Sequence, residues 1–237
     1  PFTSIAQRYW IRKMLKDYTV GNKNNLLPGR FNQNVIDDFW KCYNQENDDR
    51  QKKFLKKSYR WTTLGYNYDW NNKIYNENDK KDFPGDLHDL ISAFSEILGF
   101  KNFKSEAAII NFYPIGTTLA AHTDNSEDCN SPLFSMSFGQ SAVFLIGGKS
   151  KEDAPLPILL ESGDVLVMSD ESRFNYHAVP RVFKSNQQPW NSDQNVGFCR
   201  DLDQHVLKEC LSSDRWNVFN EYLDDSRINV NVRQVKT

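Results

Sequence analysis

Apolar positions along the chain change rhythm partway through. Near the start, Ile5, Tyr9, Trp10, Met14, Leu15 and Tyr18 recur at helical spacing, and Arg8, Arg12, Lys13 and Lys16 fill the rest of the turn, which predicts an amphipathic helix. A second helix is predicted from Leu87, Leu90, Ile91, Phe94, Ile97 and Leu98, with Asp86 placed to cap its start and Gly99 to end it. From residue 107 onward the pattern becomes short apolar runs divided by turn residues: 107–113, 134–138, 142–146, 157–160, 164–168 and 177–182. Many short strands at that spacing predict an antiparallel double-sheet barrel or jelly roll. Residues 184–217 are polar and carry Pro189, Asn191, Ser192 and Asp193, so they read as an insertion between strands, with no fold assigned to it. A short helix with Trp216, Phe219, Tyr222 and Leu223 on one side leads to a last strand, 227–235. The fold class is therefore α+β, with a helical front part at 1–105 and an antiparallel barrel or jelly-roll core at 106–237.

A chain of 237 residues, 39% hydrophobic, has enough apolar mass for one full-sized core with an appended helical part. Its net charge of -2 argues against a wholesale polyelectrolyte binder, so any nucleic-acid contact requires a local basic surface. Cys42, Cys129, Cys199 and Cys210 stand far apart with no C-x-x-C pair, the pattern of reduced, intracellular thiols. No run approaches the ~18 to 20 apolar residues needed to span a bilayer, and the start lacks the layout of a secretory signal. The chain begins at Pro1 without a methionine, which points to a trimmed start and leaves a targeting peptide open.

The sharpest chemical signal is His122-Thr-Asp124, followed by His177; His122 is expected on the exit of the strand that begins at residue 107. Residues i and i+2 of an extended segment point to one side, so His122 and Asp124 can address a single ion. Two imidazoles and one carboxylate on one face of an octahedron leave three positions open, the arrangement of non-haem Fe(II) oxygenases. Taken alone, H-x-D also describes a polar pair or a surface turn. Of the remaining histidines, His88 and His205 read as surface or capping residues, which leaves His177 as the third ligand.

The last strand alternates, with Ile228, Val230 and Val232 on one face and Arg227, Asn229, Asn231 and Arg233 on the other. At ~3.3 Å per residue the two arginines lie ~20 Å apart, too far to touch but able to converge on a dicarboxylate between them. Guanidinium suits that task, because its planar fork pairs with a carboxylate and keeps its charge when desolvated. A solvated edge strand with two surface arginines gives the same pattern. Lys52, Lys53, Lys56, Lys57 and Arg60 repeat along one side of a helix and could track phosphates, with Trp61, Tyr66, Tyr68 and Trp70 following as stacking partners for an unpaired base. The same residues also describe a solvated charged helix and a core strand. Arg173, four residues before His177, is a candidate to contact substrate or to order a loop.

Asn111-Phe-Tyr113-Pro-Ile-Gly, His122-Thr-Asp124, His177 and Arg227-x5-Arg233, in this order, resemble the AlkB dioxygenases. The stretches 135–148, 162–165, 177–182 and 231–235, with Ala6-Gln-Arg-Tyr-Trp10 and residues 60–70 at the front, are most similar to the branch of the first mammalian AlkB homologue. The resemblance implies a double-stranded β-helix core, a nucleotide-recognition lid in the N-terminal part, and Fe(II), 2-oxoglutarate and O2 as cofactors. It implies that Arg227, Tyr113 and Asn229 bind the distal carboxylate of 2-oxoglutarate, while Asn111 and Arg233 lie near its metal-bound end. The implied reaction hydroxylates a methyl group as 2-oxoglutarate is converted to succinate and CO2, and an N-hydroxymethyl product then loses formaldehyde. The implied partners are methylated DNA or RNA with a flipped or unpaired base: N6-methyladenine in DNA, N1-methyladenosine in tRNA or methylcytosine in RNA. The protein is expected to be an intracellular monomer with no membrane partner, in the nucleus and/or mitochondrion by the same resemblance. One departure stands out: where some AlkB enzymes place an acidic base-reading residue, two positions past the metal aspartate, this chain has Ser126, with Glu127 next. The competing classes are a protein-directed hydroxylase on the same scaffold, a non-catalytic nucleic-acid-binding module, and a zinc hydrolase, which would not require Arg227 and Arg233.

Overall fold

The computed structural model describes residues 1–192 and 203–237; Asp193 and Cys199, named above, lie outside the described residues. In chain order the helices are α1 (Ser4–Arg12), continued by a π-turn at Lys13–Asp17, α2 (Gln33–Asp37), α3 (Phe39–Gln45), α4 (Asp49–Ser58), α5 (Gly85–Ile97), α6 (Gln204–Leu211) and α7 (Ser213–Leu223). The strands are β1 (Trp61–Asp69), β2 (Ile74–Lys80), β3 (Ala107–Pro114), β4 (Leu119–His122), β5 (Leu133–Gly139), β6 (Ser141–Ile146), β7 (Leu156–Leu160), β8 (Val165–Met168), β9 (His177–Phe183) and β10 (Ser226–Arg233). They form two antiparallel sheets, a six-stranded one in the order β2-β1-β3-β10-β5-β8 and a four-stranded one in the order β4-β9-β6-β7. This is the expected jelly roll.

Alternation along the central strands divides the core in two. One face of β3, β5 and β10 offers Ile110, Phe112, Phe134, Phe138, Ile228 and Val230 to the helices, where Ile11, Leu15, Leu87 and Trp190 meet them. The opposite face carries Tyr113 and Leu133, which pack with Phe144, Val179 and Val182 of the smaller sheet. The polar face of β10 is thereby turned into the space between the sheets, so Arg227 and Arg233 are buried and do not lie on a solvated edge. The shared core runs through residue 105, because β1 and β2 extend the large sheet from within the front part of the chain.

Local departures from the sequence reading have physical causes. His122 sits on its own strand, β4, because a turn at Gly116 with φ of 84° redirects the chain after β3 into the second sheet. Arg8 and Arg12, assigned to the polar side of the first helix, are buried: α6 and the turn around Trp190 cover that side, so Arg8 donates to the Trp190 and Cys210 carbonyls and Arg12 to Glu209. The polar 184–217 segment thus contributes Trp190, Val206, Cys210 and Trp216 to the core. Asp86 is not the N-cap residue of α5, a place Pro84 takes; it lies in the first turn, where its carboxylate accepts the Leu87 backbone N–H at 2.9 Å and the Tyr18 hydroxyl at 2.6 Å while pairing with Lys13 at 2.9 Å. Gly99 ends that helix as expected, with φ of 82°. No helix among the described residues is long and apolar enough to cross a membrane.

Candidate active site

Antiparallel pairing of β4 with β9 places His122 directly opposite His177, and Asp124 follows two residues past β4. Asp124 Oδ1 lies 3.8 Å from His122 Nε2 and Oδ2 lies 3.7 Å from His177 Nε2, with all three candidate ligand atoms within 4.8 Å of one another. Each imidazole is oriented from behind: Nδ1 of His122 is 2.9 Å from the Ala120 carbonyl and Nδ1 of His177 is 3.1 Å from the Asn175 carbonyl. A carbonyl only accepts, so both Nδ1 atoms carry the proton and both Nε2 lone pairs point inward, the orientation metal-ligating histidines take. Burial lowers the His177 pKa, against the pull of Asp124, and favours the neutral ring. Burial alone would raise that of Asp124, but Arg233, His177, His122 and Arg173 outweigh it and hold the carboxyl below its usual range.

Behind the triad lies a closed set of charges. Arg173 is 1% exposed; it donates to the Asp124 carbonyl at 2.6 Å and the Ser131 carbonyl at 2.8 Å, and pairs with Glu127 at 2.9 Å. Glu127 in turn pairs with Arg233 at 2.9 Å, and Arg233 reaches Asp124 Oδ2 at 3.3 Å and the Tyr75 hydroxyl at 3.3 Å. Arg173 is therefore committed to ordering the Asp124–Glu127 loop, the second of the two roles open to it. The fork of Arg233 is already engaged; among the described residues its Nε alone finds no partner.

Arg227 differs. It is 1% exposed, Nη2 donates to Ser137 Oγ at 2.8 Å, and Nε and Nη1 are buried with no partner among the described residues. The Tyr113 ring lies 5.4 Å from its guanidinium carbon, and no carboxylate among the described residues pairs with it, so burial presses its pKa down to about 10, with Tyr113 opposing. A narrow cavity lined by His122, Asp124 and His177 at one side and by Tyr113, Arg227 and Asn229 at the other joins this cation to the triad. Asn229 spends its amide on Ser135 Oγ and the Met136 carbonyl, while Asn111 lines the wider cavity outside.

That wider cavity, about 530 Å³, opens over His122 and Asp124. Tyr68 and Trp70 stand edge to face at its wall with ring centres 4.8 Å apart, and Lys73, Lys151 and Tyr176 complete the mouth. Tyr68 and Trp70 were visible in the aromatic run; Lys73, Lys151 and Tyr176 sit in connections with no periodic signal. The lysine helix does not line this cavity. Lys52 pairs with Glu221 and Lys56 is 7% exposed, bonded to the Tyr222 carbonyl and Asp225, which leaves Lys53 and Lys57 facing outward and breaks the expected five-cation stripe. Arg60 is half-buried, its backbone N–H held by Asn25. Tyr66 is not available for stacking on a base: it donates to Glu77, and Lys80 lies over its ring at 4.4 Å. His88 and His205 are exposed on their helices.

Two antiparallel sheets enclosing a two-histidine, one-carboxylate cluster define a jelly-roll protein of the non-haem metal oxygenase type. Residues 7–233 match the family model of the 2OG-Fe(II) oxygenase superfamily, and the chain belongs to that superfamily. It is 36% identical to nucleic acid dioxygenase ALKBH1 of Mus musculus over 99% of its own length and 62% of the relative's. It is also 38% identical to tRNA demethylase abh1 of Schizosaccharomyces pombe over 78% of its length and 55% of the relative's. The chain thus spans between about half and two thirds of these relatives. The solved structure of OsALKBH1 shares the fold, with a TM-score of 0.58 at 20% identity, covering 97% of this chain and 91% of that one. The residues fit the two groups in the family's description: the donor set suits a divalent iron, and the orphaned Arg227 lacks just the anion that a dicarboxylate would bring.

Proposed function

We propose that this chain is an AlkB-type dioxygenase that uses Fe(II), 2-oxoglutarate and O2 to oxidise methyl groups on nucleic-acid bases. The observation that carries the reading is the alignment, along one path, of an aromatic mouth, the His122–Asp124–His177 cluster and a buried arginine with no counter-ion among the described residues. His122, Asp124 and His177 would hold the iron, and Arg227 with Tyr113 would hold the distal carboxylate of 2-oxoglutarate. Bound together, metal and cosubstrate supply the oxidant that hydroxylates the methyl group.

The remaining work falls to the chain's own residues. Nδ1–H bonds to the Ala120 and Asn175 carbonyls fix both imidazoles, and Arg173 holds the Asp124 backbone, so the ligands are set before substrate arrives. Ile109 and Leu119 contribute apolar surface that limits water near the reacting methyl, and Tyr68, Trp70 and Tyr176 offer ring faces to a base taken out of its stack. Loss of formaldehyde from an N-hydroxymethyl product then restores the unmethylated base. The test is incubation with Fe(II), 2-oxoglutarate and a panel of methylated DNA and RNA oligonucleotides, with product mass spectrometry. The reading expects at least one methylated oligonucleotide to lose or oxidise its methyl group; methyl oxidation of a peptide panel alone would favour the protein-directed hydroxylase instead.

A further inference from the structure

Arg227 and Arg233 are both buried on β10, but they are held in different ways. Arg233 is fixed through its side chain, by Glu127, Asp124 and Tyr75. Among the described residues the Arg227 guanidinium has one hydrogen bond, to Ser137 Oγ, so its direction depends on how its backbone enters the strand. Arg227 occupies the terminal rung of the β10–β5 ladder, opposite Gly139, and only Asp224 and Asp225 separate the first residue of β10, Ser226, from the end of α7. The last carbonyls of a helix find no partner within it. Here five successive carbonyls each accept a hydrogen bond from elsewhere: Tyr222 from Lys56 Nζ at 2.6 Å, Leu223 and Asp224 from Gln140 Nε2 at 2.7 and 3.1 Å, Asp225 from the Ile115 N–H at 2.7 Å, and Ser226 from the Gln140 N–H at 3.1 Å. Gln140 thus takes three of the five. Its remaining polar atom, Oε1, accepts the Ser185 N–H at 2.6 Å, and the side chain is closed off from solvent. The approach is tight as well: at Gly139, with φ of 79°, a Cβ would fall 2.5 Å from the Ser226 carbonyl oxygen.

We infer that Gln140 is a positioning residue for the cosubstrate: it holds the joint between α7 and β10 so that the Arg227 guanidinium stands where a distal carboxylate can meet it, with Lys56 as a second brace. The inference rests on the reading that 2-oxoglutarate is that cosubstrate. A guanidinium pairs best with a carboxylate through two parallel donors, and a displaced fork no longer offers both. An amide suits the corner because it donates to two carbonyls and accepts from one N–H at once, whereas a carboxylate can only accept. Lys56 braces the other side of the joint through its pairing with the Asp225 carboxylate. Neither residue lines the narrow cavity that joins Arg227 to the triad, so both act through Arg227.

The test is 2-oxoglutarate binding by isothermal titration calorimetry, with Mn(II) in place of Fe(II) so that no turnover occurs, alongside Mn(II) affinity measured by itself. Gln140→Glu, close in shape, is expected to raise the 2-oxoglutarate Kd by about tenfold and to leave Mn(II) affinity within about twofold of the wild type. Lys56→Met, which removes the donor and keeps an apolar stem, should raise the same Kd by at least about threefold, and it decides alone if Gln140→Glu does not fold. Ile91→Ala, a truncation in the core face of α5, costs stability without touching the joint and is expected to leave both affinities unchanged. An unchanged 2-oxoglutarate Kd in either folded variant, equal losses of cosubstrate and metal affinity, or the same loss in Ile91→Ala overturns the inference. If the wild type itself does not bind 2-oxoglutarate with Mn(II), the cosubstrate reading fails and takes the inference with it. If it binds but no methylated oligonucleotide is oxidised, the nucleic-acid reading fails and the inference stands on the binding result.

Discussion

Arg233 and Glu127 meet at 2.9 Å between the two sheets, and the same carboxylate meets Arg173 at 2.9 Å on its other side. Glu127 therefore cross-links the end of β10 to the loop that carries Asp124. Removing one partner of a buried ion pair leaves a desolvated charge unmatched, whereas the intact pair only offsets its own desolvation. Here two arginines would lose one anion. Glu127→Gln, close to isosteric, is expected to cost about 3 to 5 kcal/mol in urea unfolding and to weaken metal affinity by about tenfold or more through the displaced Asp124. A loss under about 1 kcal/mol with unchanged metal affinity would show that the cross-link does not position the loop.

Arg227 makes the opposite prediction, because it is a buried cation with no anion beside it among the described residues. Its folded pKa of about 10 lies below its unfolded value, so keeping the charge costs stability throughout the neutral range, and the cost fades only as pH rises through about 10. A dicarboxylate binds the charged form, so 2-oxoglutarate affinity should hold steady at neutral pH and fall as pH climbs through that same range. Arg227→Met should leave the ligand-free protein as stable or about 1 to 3 kcal/mol more stable, and it should erase the rise in Tm that 2-oxoglutarate gives the wild type. A destabilised variant that retains this rise would contradict the assignment.

Gly65 fixes how the β1–β2 hairpin leaves the sheet. Its φ of 69° is open to glycine, and a Cβ there would fall onto the Glu106 carbonyl. The register of β1 against β2 shifts just beyond it, between Tyr66 and Tyr68, and that shift sets Tyr68 at the cavity mouth. Gly65→Ala should cost about 2 to 4 kcal/mol by thermal or chemical denaturation. It should weaken oligonucleotide binding more than 2-oxoglutarate binding, since Arg227 lies on another strand. An equal loss of both would point to general unfolding instead.

What the sequence displayed, it displayed through periodicity and through residue types with narrow uses. The alternation of β10 gave both faces correctly, and the pairing of a short H-x-D with a later histidine marked residues that the fold brings within one coordination sphere. What it concealed depended on contacts between distant segments. Nothing near Lys56 announces that the Tyr222 carbonyl and Asp225 will claim it, and Arg173 looks as solvent-ready as any arginine until Ser131, Asp124 and Glu127 close around it. Trp190 was read as part of a polar insertion because one buried indole in a polar run leaves no period to detect. Lys73 and Lys151 reach the mouth from two turns far apart in the chain.

The most direct measure of the account is the coupling between cosubstrate and substrate. With Fe(II), O2 and a methylated oligonucleotide that the wild type binds, succinate formed from 2-oxoglutarate should match oxidised methyl groups one to one, and Asp124→Ala should abolish both while the fold is retained. Full succinate and methyl oxidation in Asp124→Ala, or in His122→Ala and His177→Ala, would contradict the claim that these three side chains share the metal on which the reaction depends.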